Sequence, residues 1–331
     1  MREIIPVPSS AYNFDEISII PRLEPLSVND PELSLKTHLT RNNLIDAPFV
    51  ASPMDSVMDY RMACCMSKHG LIPIFCICKN NNKRVFEDVK KYILGNNGKF
   101  GVSVPTSIEF INNQMVKDIL QRSSIIAIDT LHSAPYNHLK VLECLRKEYV
   151  EKDIISGNVT NGRDCERVIN CGADAVRVGM TSNTVNHGYE LTGCGRQQAK
   201  SIYECAEIGD QYGVPIIADG GVKNVSGIAK CIALGASSVM MGAMFAAIDE
   251  SPSSIEEIDG VKYKRYQGMS RADIIDDEMR PEGSTVLLEK KGTFDEVIEE
   301  WENILKIAVV RSGTSSIENM RVDSILEYYS K

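Results

Sequence analysis

Several things are missing from this chain, and each absence narrows what it can be. No stretch approaches the ~18 consecutive apolar residues that a membrane span needs. The opening "MREIIPVPSSAYNFDE" carries acids early and lacks the apolar core of a secretory leader. Positive charge is not in excess: Lys and Arg total 36 against 45 Asp and Glu, a formal net charge of −9. That balance disfavours nonspecific binding to nucleic acid or to an anionic membrane surface, though it leaves room for a local basic pocket around a phosphate. No CxxC is present. "ACCM" (Cys64, Cys65) and "FCIC" (Cys76, Cys78) have no partner pair, and strand alternation would turn Cys76 and Cys78 to one buried face, so no metal site is read here. The 10 cysteines are scattered, several inside apolar runs, as expected for reduced core residues of a cytoplasmic protein and not for a disulfide framework. No low-complexity segment or linker divides the chain.

What is present is a recurrence. Eight short apolar runs, each ending in small or polar residues and followed by a helical pattern, read "PFVASPMD" (48–55), "LIPIFCI" (71–77), "KFGVSV" (99–104), "SIIAID" (124–129), "DIISGNV" (153–159), "AVRVGM" (175–180), "VPIIADGG" (214–221) and "SSVMMGA" (237–243). Continuous apolar strands separated by helices imply a parallel sheet buried on both faces. Eight such units suggest a single α/β domain over 1–331, a (β/α)8 TIM barrel. In "INCGADAV" (169–176) and "IALGASSV" (232–239) a glycine closes a helix just before a strand, the C′ pattern. The alternative is an open doubly wound sheet, but the GxGxxG expected after its first strand is absent. The strand-poor stretch 250–295 is too long for an idle connection and reads as active-site loops with room for a hairpin.

Barrels of this kind work at the carboxyl ends of their strands. Those ends carry Ser52, Asp55, Asp129, Asn158, the 181–190 loop, Asp219, Gly220, Gly221, Gly242 and Ala243. "DGG" and "MGA" end the last two strands, where glycine lets a phosphate approach backbone N–H groups closely. Each motif alone is weak; together, on adjacent strands, they favour a phosphate site. Asp219 beside it would accept from a ribose diol or, equally, cap the next helix, a task Asn224 or Ser226 could also perform.

"FDEISIIPR", "ASPMDSV", "GNVTNG", "RVGM", "GCGRQQ", "GVPIIADGGVKNVSGIAKCIALGASSVMMGAMFAA", "ESP", "DGVKYKRYQGMS" and "PEG…KKG" occur in the order found in the IMP dehydrogenase/GMP reductase family, which the chain resembles from about Asn13 to Ser316. The resemblance implies a barrel, usually a homotetramer, that binds a purine mononucleotide beside NAD or NADP. Carried over residue by residue, it sets Ser52 and Met54 against the base and Asp219 on the ribose. Thr184, Gly220, Gly221, Gly242, Ala243 and Tyr266 would surround the phosphate, with Gly268, Met269 and Ser270 along the purine edge. Asp129, Thr130 and Asn158 would face the nicotinamide nucleotide. The regulatory insert common in the family has no room in "FCICKNNNKRVFEDV".

The family's catalytic loop, approximately GxGSxCxT, is rewritten. Aligned without gaps, Asn186 takes the place of the nucleophilic cysteine and Thr184 that of the phosphate-binding serine. An amide has no accessible nucleophilic state, whereas a thiolate forms near neutral pH. Cys194 lies eight residues further on and would need a large refolding to replace it. His187 is open to an acid–base role or to an ordinary surface one. The Arg-Tyr flap by which dehydrogenases activate water is absent, since only "RADIIDDEMRP" separates Ser270 from Glu282. Glu282 matches the glutamate of a reductase Thr/Glu pair whose threonine is missing. "VVRSGTSSIENMR" is shorter than the family stretch that helps hold a monovalent cation, which argues against that ion. Leu131 and His132 stand where smaller polar residues are usual and narrow the nicotinamide side.

Three functional readings stay open on the residues alone. One is an NAD(P)-linked oxidoreductase working without a covalent adduct, with Asn186, His187 and Glu282 at the reacting position. Another is a catalytically silent purine-nucleotide sensor, and the third a different reaction on a related phosphorylated nucleotide.

Overall fold

Val, Ile and Met dominate the eight apolar runs, and each becomes a short strand buried on both faces. A computed structural model describes residues 14–77, 83–95, 97–130, 136–180, 191–268 and 284–328. Three short strands come first: β1 (Ile17–Ile19), β2 (Thr37–Thr40) and β3 (Asn43–Ile45). The barrel strands follow as β4 (Phe49–Ala51), β5 (Ile74–Cys76), β6 (Gly101–Val104), β7 (Ile125–Ile128), β8 (Asp153–Val159), β9 (Ala175–Val178), β10 (Ile216–Asp219) and β11 (Ser238–Met241). All eight predicted runs are therefore strands. They form one parallel sheet in the order β4-β11-β10-β9-β8-β7-β6-β5, with Val239 opposite Phe49 and Met241 opposite Ala51 where the last barrel strand meets the first. The sheet is thus nearly closed, as a (β/α)8 barrel and not as an open doubly wound fold.

The crossovers are helical: α1 (Tyr60–Lys68), α2 (Lys83–Leu94), α3 (Ile108–Ile111), α4 (Gln114–Arg122), α5 (Tyr136–Glu148), α6 (Gly162–Asn170), α7 (Gln198–Tyr212) and α8 (Val225–Ala233), with a short α9 (Ala243–Ala246) after the last strand. Glycine ends α6 and α8 as the sequence predicts. Gly172 and Gly235 sit at φ 104° and 108°. Their N–H groups and those of Ala173 and Ala236 reach back to Ile169, Ile232, Val168 and Cys231, the paired bonds of a Schellman cap. None of the described helices is long and apolar enough to cross a membrane.

The amino-terminal end of the barrel is plugged by the β2–β3 hairpin. Its key is Asp153, the first residue of β8, which accepts hydrogen bonds from Thr40, from the Asn42 backbone and side chain, and from Asn43. Thr37 also donates to Ser237 O, just before β11, at 2.9 Å.

The stretch after β11 holds more strand than its charge-rich sequence suggests. β12 (Ile255–Ile258), β13 (Val261–Gln267) and β14 (Thr285–Glu289) make an antiparallel sheet. Asp259 and Gly260, at φ 50° and 78°, supply the positive angles that the two-residue turn between β12 and β13 demands. On β13 only Lys264 and Tyr266 are buried. The Lys264 ammonium donates to the carbonyls of Asp249, Ser251 and Ser253 at 3.1, 3.0 and 3.4 Å, which ties the sheet to the loop below it. After β14 come α10 (Phe294–Arg311), α11 (Ile317–Asp323) and β15 (Leu326–Tyr328), the last pairing with β1. Trp301 of α10 packs edge-on against Phe49 and Phe245, at ring separations of 5.6 and 5.3 Å, joining this late segment to the barrel.

Candidate functional site

At the open end, four adjacent strands bring together one buried network. Asp129 follows β7, Asn158 lies in β8, Arg177 in β9, and Asp219 ends β10. Arg177 stands in an otherwise apolar strand, and its side chain is only 8% exposed. A buried guanidinium must be paired. Its Nη1 donates to Asp129 Oδ1 at 3.0 Å and its Nη2 to Asp219 Oδ2 at 2.9 Å. Asn158 Nδ2 donates to the same Asp219 oxygen at 2.9 Å and to Gly179 O at 2.8 Å. Burial works against the charge on Arg177, but Asp219 and Asp129 outweigh it and hold the guanidinium protonated well above its ordinary range.

Two glycines make the close packing possible. A Cβ on Gly157 would lie 2.4 Å from Arg177 O, and one on Gly179 would lie 2.0 Å from Asp219 O. Beside them the buried Gln198 amide donates to Val178 O and Asp219 O at 2.8 and 3.0 Å, stapling the ends of β9 and β10. Asn158 Oδ1, Arg177 Nε and Gln198 Oε1 are buried without a hydrogen-bond partner among the described residues.

The second part of the site is built by Tyr266. Its ring reaches over the end of β11, so close that a Cβ on Gly242 would lie 2.0 Å from the phenol oxygen. The hydroxyl donates to Met54 Sδ at 3.4 Å, a weak acceptor that a stronger one would displace. Burial first, then the negative charge of Asp219, pushes the Tyr266 phenol well above its usual range, so it stays a neutral donor. Asp219 lies opposite Met240 in the sheet, two residues before Gly242, so the two parts stand side by side as one wall.

The other sequence-derived positions distribute around this wall. Ser52 is buried after β4, its N–H on Met241 O at 3.1 Å. Thr130 is half-buried after Asp129. Gly220 and Gly221 have φ of 96° and 79°, and Ala243 begins α9. The buried Gly268 donates to Ser284 O at 2.9 Å. The cap on α8 is Asn224, which accepts from Gly227 N at 2.9 Å, leaving Asp219 to the network. Thr184, Asn186, His187, Met269, Ser270 and Glu282 lie outside the described residues, as do Leu131 and His132. Sequence reasoning missed Arg177 and Gln198. The signal for the first lay in the sequence: a charge inside "AVRV" cannot be buried without acids nearby. Gln198 carries no comparable local signal.

Chemically the wall offers a neutral phenol donor over glycine backbone, a carboxylate with one oxygen committed to protein partners, and a paired cation between two carboxylates. A protein of *Borreliella burgdorferi* described as inosine-5'-monophosphate dehydrogenase is 26% identical over 382 residues, covering 96% of this chain and 94% of that one. A *Cryptosporidium parvum* protein of the same description is 26% identical, covering 93% and 89%. One from *Trypanosoma brucei brucei* is 27% identical, covering 74% of this chain and 49% of that longer protein. The family model for the IMP dehydrogenase / GMP reductase domain matches residues 11–331, and the chain belongs to that family.

Proposed function

We propose that the barrel mouth binds a purine mononucleotide beside a nicotinamide dinucleotide and transfers hydride between them without a covalent protein adduct. The observation that carries this reading is the wall from Asp129 through Arg177 and Asp219 to Tyr266 and Gly242. Tyr266, neutral and held by a thioether, would donate to the phosphate, whose other oxygens would meet the backbone at Gly221, Gly242 and Ala243. Asp219, with Oδ2 held by Arg177 and Asn158, would present its remaining oxygen to the ribose hydroxyls.

The residues present fit the dinucleotide. Asn158 Oδ1 is buried without a hydrogen-bond partner among the described residues, an acceptor that the N–H of a carboxamide would satisfy. Asp129, Thr130 and Asn158 would hold the nicotinamide nucleotide, NAD or NADP, which when bound supplies a hydride donor or acceptor. The protein's own task is to stack two rings in contact and to place an acid–base group that would take a proton from water as it adds to the purine carbon losing hydride, for which His187 and Glu282 are the candidates. Asn186, where the family's cysteine is expected, cannot attack the ring.

That same substitution favours a second reading, a nucleotide-binding regulator with no turnover. Calorimetry with IMP, XMP, GMP and AMP is expected to show micromolar or tighter binding by at least one; none binding overturns both readings. Absorbance at the reduced-nicotinamide band, with NAD and NADP in both redox directions, is expected to change with the nucleotide that binds. A flat trace selects the regulator. Asn186→Cys is expected to restore some adduct, read by mass spectrometry of the protein with its nucleotide; complete inertness would mean the loop was rebuilt beyond its nucleophile.

A further inference from the structure

One guanidinium serves two carboxylates that belong to different subsites. Arg177 donates from Nη1 to Asp129 and from Nη2 to Asp219. Asp129 and Asp219 are partly open to the mouth, at 22% and 17% side-chain exposure, while Arg177 between them is 8% exposed. The guanidinium is a rigid planar fork. Fixing either carboxylate therefore fixes the fork and, through it, the other carboxylate. Asn158 adds a second link, since it holds Asp219 through Nδ2 while its buried Oδ1 is left for a ligand.

We infer that Arg177 is a positioning residue that couples the two ligands, so that a ribose diol on Asp219 and a second ligand at Asp129 each strengthen the other's binding. The inference rests on the two-ligand reading above. Its physical basis is shared ordering. The first ligand restrains Asp219, Arg177 and Asp129 together, and the second binds a network already restrained. Linkage makes the effect reciprocal, so each ligand changes the other's affinity by the same factor. A lysine in place of Arg177 has one ammonium where the fork has two separated donors, and cannot span both acids in the same geometry.

The test is calorimetry on the intact chain with IMP and NAD⁺. IMP is titrated alone and at saturating NAD⁺, and NAD⁺ alone and at saturating IMP. The wild type is expected to show the same factor both ways, about fivefold or more, at the lower end of measured couplings. In Arg177→Lys and in Asp129→Asn, each checked for folding by circular dichroism, the factor is expected to fall towards one. Two ligands that bind wild type independently, or a factor unchanged in both variants, would overturn the coupling while leaving the proposed function intact. Failure of the wild type to bind both ligands would overturn the function and the coupling with it.

Discussion

A guanidinium taken out of water survives in a strand only where acids meet it, and Arg177 meets two. Arg177→Met would leave Asp129 and Asp219 facing each other without their cation, with a cost of roughly 3–5 kcal/mol expected for a broken buried pair. Urea unfolding measures it; a loss below about 1 kcal/mol would mean that water replaces the pair. Gly242 is the second informative residue, because the Tyr266 hydroxyl occupies the space its Cβ would need. Gly242→Ala is expected to displace the phenol and to weaken nucleotide binding at least tenfold, about 1.4 kcal/mol. Unchanged affinity by calorimetry would remove Tyr266 from the phosphate. At this scale the sequence was partly legible: Asp219 and the glycines stand at strand ends that the barrel pattern already marks, while Tyr266 was named only through the resemblance. Arg177 was readable only as a charge needing partners, since its acids lie 48 and 42 residues away along the chain.

Among the elements, the β2–β3 hairpin is held to the barrel through one carboxylate. Burial alone would raise the Asp153 pKa, but hydrogen bonds from Thr40, Asn42 and Asn43 outweigh it and leave it below the ordinary carboxylate range. A depressed native value means the contribution is present above the unfolded value near pH 4 and is lost as pH falls through the native one. Asp153→Asn is thus expected to be less stable than wild type at pH 7, with the gap closing below about pH 4. A deficit constant from pH 7 to pH 3 in denaturation curves would discount the carboxylate. The barrel strands and the Schellman glycines were legible because they are local: apolar runs and a left-handed cap are written in consecutive residues. The β12–β14 sheet was not, because charged residues alternate with its few inward side chains. Val286 and Leu288 become a half-buried face packed on the core only when the barrel lies beneath them.

For the whole molecule, ligand binding and folding are one equilibrium. A nucleotide at 100 times its Kd is expected to stabilise the chain by about 2.7 kcal/mol, which raises Tm by several degrees in a scan. No shift with any purine nucleotide would contradict a preformed site. Assembly into a homotetramer, four times the 36.7 kDa chain, is the expected outcome of light scattering. Leu23 is wholly exposed and Val28 is 41% exposed on one segment, apolar surface available to such an interface. By itself the sequence determined the eight strand–helix units, their helix stops, and the absence of a cysteine from "TSNTVNHGY", because each depends on neighbours along the chain. Tertiary structure alone decided that Asp129, Asn158, Arg177 and Asp219 share one network and that Tyr266 closes over Gly242. Those contacts join strands far apart in sequence, and only closure of the sheet sets the distances at which charges pair.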